Sequence, residues 1–158
     1  MHATELFVYG TLRHDQPEHK KYCRGVTGWR PARLRGKLWM VPAGYRLAVV
    51  SPQAVLLAAT TDPVADEARR SALAAAEMVR ASSPDDSGWI DGELLSFRDA
   101  TEAWPPLDTW EEFAPGRAGC YARAVVPVEI AAAAGETPGG MAAWAYIATI
   151  VPDGSAAL

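Results

Sequence analysis

Two short stretches bring together residue types whose spacing could support chemistry. In residues 107–113, LDTWEEF, carboxylates alternate with large apolar side chains. Read as a helical turn, the stretch puts Leu107, Trp110 and Glu111 on one face, because positions three and four apart are neighbours on a helix. Glu111 then faces the core beside tryptophan, while Asp108 and Glu112 lean towards solvent. A carboxylate in apolar surroundings is disfavoured as an anion, which prepares a glutamate to take up and return protons. The bland alternative is a solvated acidic turn. In the second stretch, residues 8–13, VYGTLR, a glycine directly follows an apolar segment. Such a junction lets the backbone turn sharply, so that the amides beyond it converge on an anion or a developing oxyanion. A plain strand-ending turn explains the same residues.

A third grouping, His14, His19 and Cys23, is weaker. Only His19 and Cys23 have a spacing that suits one helical face, and no second cluster completes a metal site. These read as incidental surface residues, and no metal is expected. Cys23 and Cys120 make neither a disulfide framework nor a zinc set and are taken as reduced thiols.

The elements that must position these residues follow from periodicity. Residues 5–9 are strand formers with almost no polar interruption, the pattern of a central strand buried on both faces. Residues 33–41 alternate polar and apolar up to Pro42, and residues 45–50 read as the hairpin partner. Asp62 and Pro63 form a helix start, with Asp62 as cap, followed by an Ala-rich helix over 64–81 that carries Glu67/Arg70 and Glu77/Arg80 pairs. A polar loop over 82–88 ends it. Residues 89–97 predict a strand in which Gly92 marks a bulge or a close backbone approach. Residues 99–113 predict a short helical or turn-rich region interrupted by Pro105 and Pro106. Two last strands, 121–130 and 141–147, flank a Gly/Pro-rich loop, and the tail at 152–155 is expected to fray. Helices arrive singly rather than after every strand, so the class is α+β and not a doubly wound sheet.

At 158 residues the chain suits one domain, one that buries roughly 70% of its unfolded surface. A hydrophobic fraction of 49% and a charged fraction of 22% argue against a disordered chain. No apolar run reaches the ~18 residues of a membrane span, and the first residues lack the basic and apolar regions of a signal peptide, so a soluble, cytoplasmic protein is expected. The net charge of -4 argues against coating nucleic acid. It conceals an asymmetry: residues 1–46 hold 9 basic and 3 acidic side chains, and the remainder 6 and 16. For the basic stretch, which includes Arg24, Arg30, Arg33, Arg35, Lys37 and Arg46, three readings stand open: a solvated face, a site for a small anion, or a nucleic-acid groove.

Taken together, the segments resemble the γ-glutamylcyclotransferase-like family, which includes the AIG2-like proteins and the γ-glutamylamine cyclotransferases. Residues 6–13, LFVYGTLR, are similar to that family's N-terminal signature, and 107–113 to its Leu-Asp-x-x-Glu-Gly element. GCYARAVVPVEI at 119–130 resembles the Tyr-x-Arg strand, and AAWAYIA at 142–148 the closing strand. GKLWMVPAGYRLAVV at 36–50 and IDGELLSF at 90–97 are similar to the strands between. The order of these motifs matches the family's nearly end to end.

The resemblance implies a small mixed β-barrel with flanking helices, and one domain over 1–158 with an inserted helical segment at about 51–87. It implies a substrate-binding loop at Tyr9, Gly10, Thr11 and Leu12, a pocket-lining Tyr121, and Glu111 as the catalytic acid/base. Arg123 either orients the site or packs against the barrel. The implied reaction is release of 5-oxoproline from a small γ-glutamyl compound by attack of its own α-amine, with no metal, cofactor or external nucleophile, in a monomer or homodimer. YGTL, in place of the YGSN of the glutathione-related branch, leans towards γ-glutamylamines. A non-catalytic binding module on the same barrel is the alternative. Three features depart from the family pattern: Glu112 stands where glycine is usual, the 51–87 link is long, and Pro105-Pro106 precedes the glutamate, where it is compatible with a fixed turn.

Overall fold

The computed structural model describes residues 3–75, 88–116, 121–132, 134–135 and 139–158. β1 (Thr4–Val8) runs antiparallel to β6 (Trp89–Phe97) and parallel to β8 (Gly139–Ile147). β8 continues antiparallel into β7 (Ala122–Ile130), and β6 into β2 (Val26–Arg35). The sheet curls until β2 also pairs with β7 through Ala32, Arg33 and Leu34, and β5 (Leu57–Ala58) adds to the other end of β7. β3 (Lys37–Met40), β4 (Arg46–Val49) and β9 (Ala156–Ala157) form a second, three-stranded sheet.

Burial on both faces explains the unbroken apolar strands. Along β1, Phe7 joins one core with Leu34, Leu94, Val126 and Ala145; Leu6 and Val8 join a second with Leu95, Val125 and Trp144. The small side chains Ala32, Ala124, Ala143 and Ala145 lie in the first core, which the curled sheet surrounds. Gly92 makes the close approach its position predicts, since a Cβ there would come within 2.2 Å of the Val8 carbonyl oxygen.

α1 is the short Pro17–Tyr22 helix, and α2 (Pro63–Ala75) begins as expected, with Asp62 Oδ1 accepting from the Ala65 N–H at 3.1 Å. Glu67 and Arg70 are both buried, and Arg70 Nη1 donates to the Ala142 carbonyl, fastening α2 to β8. α3 (Ala100–Trp110) is capped by Asp99, which accepts from the Thr101 N–H. It packs Ala103, Trp104 and Leu107 into the second core.

Four expectations are corrected. The helix α3 is not interrupted at Pro105 and Pro106 but runs through them, because burial of Trp104 and Leu107 outweighs the lost backbone donors. The run 33–41 is two strands parted at Gly36, where a Cβ would meet the Val49 carbonyl oxygen at 2.7 Å. β2 starts well before it, at Val26, its pattern masked by Gly28 and Pro31. The tail does not fray: β9 pairs with β3, and the Leu158 N–H donates to the Leu38 carbonyl. Of the expected 64–81 helix, residues 76–81 lie outside the described residues, with Glu77/Arg80, most of the 82–88 loop and Cys120. Among the described residues no helix is long and apolar enough to cross a membrane.

Candidate active site

Glu111 caps the C-terminus of α3, and the turn beyond it sets its direction. The Phe113 N–H donates to the Asp108 carbonyl at 2.8 Å and the Glu112 N–H to that of Thr109 at 3.3 Å, the paired bonds of a Schellman turn. Such a turn needs a left-handed residue directly after the cap, and Glu112 supplies it with φ 53°. The two glutamates part as a result. Glu112 is exposed and lines an outer cleft of about 410 Å³ with Asp108, Thr109 and Phe113, whereas Glu111 is half-buried and does not line it.

Tyrosines from separate elements surround Glu111. Tyr9, at the end of β1, donates its hydroxyl to the Tyr146 carbonyl at 2.8 Å and accepts from the Ala48 N–H at 3.2 Å. Tyr121 donates to the Arg46 carbonyl, interacts with Tyr9 through its hydroxyl, and packs its ring on Tyr45 at 5.4 Å. Both phenols are held neutral by burial, with the Glu111 charge adding to the effect. Burial, reinforced by the neighbouring Asp108 charge, pushes Glu111 up to about 7. Its carboxyl makes no hydrogen bond among the described residues, which leaves both oxygens available to a ligand.

The sequence reading of the α3 face needs two corrections. Asp108 does not lean towards solvent: it accepts from Arg123 Nε at 3.0 Å and Nη2 at 3.2 Å, and from the Tyr146 hydroxyl. Trp110 is not on the core side but 40% exposed, stacked on Tyr22 of α1. The cause is the sharper demand of Arg123, 2% exposed, for a buried anion. Arg123 thus belongs to the surroundings of the site.

The loop after β1 begins in a turn. Gly10 faces open space, where an added Cβ would meet nothing within 4 Å. Its carbonyl accepts from the Arg13 N–H and Nε. Leu12 is buried and anchors the loop, while Thr11 is exposed. The Thr11 and Leu12 N–H groups meet no acceptor among the described residues, so they are free to bind an anion. Beyond the loop, His14 is less incidental than its spacing suggests: its N–H donates to Glu93 Oε1 at 2.7 Å, Nδ1 contacts Oε2, and its ring stacks on Trp29. That pairing ties the loop to β6. His19 Nδ1 and Cys23 Sγ both contact the Leu12 carbonyl, and burial pushes the Cys23 thiol up to about 12, which keeps it an inert neutral group.

The structure therefore brings Tyr9, Tyr121 and Glu111 together. It adds Tyr146, Tyr45 and Asp108, which sequence reasoning did not place there, and Arg123, which the sequence left between orienting the site and packing against the barrel. Tyr146 alternates with Trp144 along β8, a signal that it shares the helix-facing side with Leu107. Nothing comparable marks Tyr45, which follows a turn.

The chain is similar to known proteins in part of its sequence and in its fold. Residues 6–59 match the family model described as gamma-glutamyl cyclotransferase, AIG2-like, a span that holds the Tyr9–Leu12 loop and ends before Glu111. Among solved structures the chain is similar to an AIG2-like protein from Mus musculus, at 16% identity and TM-score 0.57, covering 97% of this chain and 82% of that one. It is also similar to YkqA from Bacillus subtilis (20% identity, TM-score 0.48, 93% and 36% covered). A yeast gamma glutamyl cyclotransferase specific to glutathione is a further neighbour (16% identity, TM-score 0.47, 92% and 68% covered). No curated protein matches the chain in sequence. The family model bears out the resemblance over residues 6–59, and the α+β class holds.

Proposed function

We propose that this γ-glutamylcyclotransferase-like chain is an active γ-glutamyl cyclotransferase, releasing 5-oxoproline and a free amine from a small γ-glutamyl compound. The observation that carries the reading is the Glu111 carboxyl: half-buried, held near pH 7 by burial, without a hydrogen-bond partner among the described residues, and close to Tyr9 and Tyr121. A base poised near the working pH can both take and return a proton.

In the reaction the substrate's α-ammonium loses a proton to Glu111, and the amine attacks the γ-carbonyl of the same molecule. The new C–N bond closes the five-membered ring. As the tetrahedral intermediate collapses, the original amide C–N bond breaks and Glu111 returns its proton to the departing nitrogen; the surplus proton on the new ring nitrogen follows through the same carboxyl, so the amine leaves as an ammonium ion. The Thr11 and Leu12 amides suit a substrate carboxylate or the oxyanion of the intermediate, and Tyr9 and Tyr121 form a neutral wall that folds the substrate onto itself. The YGTL loop favours a γ-glutamylamine as substrate.

The test is to incubate purified protein with a panel of γ-glutamyl amines and γ-glutamyl amino acids and measure 5-oxoproline. Turnover by the wild type that is lost in Glu111→Gln supports the reading. No product from any member, with ligand-induced thermal shifts intact in Glu111→Gln, identifies a binding module instead.

A further inference from the structure

We propose that Asp108 is a positioning residue for Glu111: steadied by the Tyr146 hydroxyl, it clasps Arg123, and so keeps that guanidinium off the carboxyl that serves as base. The inference rests on the reading of Glu111 as the acid/base. Asp108 and Glu111 lie three positions apart at the end of α3, hence on neighbouring sides of the same turn. Both Asp108 oxygens accept from Arg123, and Oδ1 also accepts from Tyr146. The guanidinium is closed in by the rings of Trp104, Phe113 and Trp144, at 4.3, 5.7 and 5.2 Å. One of its nitrogens is unspent, for Nη1 is buried without a partner among the described residues.

A buried cation with a spare donor seeks a carboxylate, and three stand on this turn: Asp108, Glu111 and the exposed Glu112. Asp108 satisfies it with two-point geometry, which a planar guanidinium prefers. Were Arg123 to reach Glu111, the base would be pinned in its charged form and spent as an ion-pair partner. Among the described residues, Tyr9 from the end of β1, Tyr121 before β7 and Tyr146 on β8 face Glu111, all neutral, and Tyr45 stands beside Tyr9 and Tyr121. Asp108 is, among the described residues, the charge that acts on Glu111, and Arg123 is the cation that Asp108 holds.

The decisive experiment titrates the Glu111 carboxyl by ¹³C NMR in the intact protein and, in parallel, records kcat/KM against pH. Asp108→Asn removes a charge that raises Glu111 and also frees Arg123, so the titration midpoint and the acid limb of the rate both move down by about one unit or more, the larger part from an opposite charge at ion-pair distance. The plateau falls about tenfold or more as the base is engaged. Asp108→Asn/Arg123→Met removes the stranded cation and recovers most of both. Arg123→Met alone leaves Asp108 uncompensated and moves the midpoint up, which keeps the test open if Asp108→Asn does not fold. The Asp108 charge itself raises Glu111, so a midpoint that falls in Asp108→Asn and stays down in the double variant reports loss of that charge alone, and that result would overturn the proposal. The NMR readout needs no turnover, so an inactive protein with the predicted shifts sinks the cyclotransferase reading and leaves the positioning role standing.

Discussion

The Phe113 N–H reaches back to the Asp108 carbonyl oxygen at 2.8 Å, closing α3 in a turn whose only left-handed residue is Glu112. Left-handed backbone costs an L-residue about 1–2 kcal/mol, and glycine avoids that cost while losing more chain entropy on folding. Glu112→Gly is therefore expected to stabilise the protein by about 0.5–1 kcal/mol, read as a rise in the urea midpoint at constant slope. An unchanged or lower midpoint would show that the Glu112 side chain makes a compensating interaction in the cleft.

Burial of Glu111 has a consequence for stability as well as rate. Its carboxyl is raised from 4.5 to about 7, so the folded state holds that proton more tightly than the unfolded chain. The associated stability is fully present below about pH 4.5 and is lost as pH rises through about 7. Glu111→Gln removes the charge that must be buried, so above pH 8 the variant should be the more stable, by up to about 3 kcal/mol at 1.36 kcal/mol per unit. Its turnover should fall by at least ~100-fold, general acid–base catalysis being worth 10²–10⁴. Denaturation at pH 5 and pH 8.5 checks the first expectation: parallel curves for the two proteins would mean that Glu111 titrates normally.

The parts of the molecule that could be read in advance are those where one physical demand dominates. Unbroken apolar character announced β1, the Asp-Pro start announced α2, and Gly92 announced a close approach because only a missing Cβ admits the Val8 carbonyl at that distance. Glu111 was legible through its neighbours Leu107 and Trp110, although only Leu107 is buried and Trp110 lies out on α1. What escaped depends on partners distant in sequence. Asp108 looks like a solvated residue until Arg123, fifteen positions on, claims it. Pro105 and Pro106 look like a break until Trp104 and Leu107 are seen to be buried. The tail looks loose until β3 offers an unpaired edge.

The long link between the hairpin and β6 has a structural stake in the core. Glu67 accepts from Arg70, from the Thr4 hydroxyl at 2.6 Å and from Trp144 Nε1 at 3.0 Å, so one carboxylate joins α2, β1 and β8. Removing its cation leaves a buried charge without compensation, and Arg70→Met should cost about 3–5 kcal/mol. The double variant Glu67→Gln/Arg70→Met should recover a large part of that loss, because the pair's net worth against neutral side chains is small. Chemical denaturation of the three variants measures the coupling. Simple additivity would show that the two residues act independently, against the geometry.

The C-terminal strand bears on the site through the second sheet. β9 pairs with β3 at Trp39 and Met40; β3 pairs in turn with β4, and the turn between β3 and β4 carries Tyr45, whose ring packs on Tyr121. Deleting residues 156–158 removes two pairings and the Leu158 hydrogen bond to Leu38, a loss of about 1–2 kcal/mol that should lower Tm by roughly 2–6 °C. With the edge of β3 released, the Tyr45–Tyr121 pair loses its fixed seat, while Glu111 and its turn on α3 are untouched. The expected kinetic signature is KM raised several-fold with kcat little changed, since positioning of bound substrate is affected and the base is not. Steady-state kinetics on the truncated chain decides the matter: a fall in kcat at constant KM would place the influence of the tail on Glu111 itself rather than on the aromatic wall.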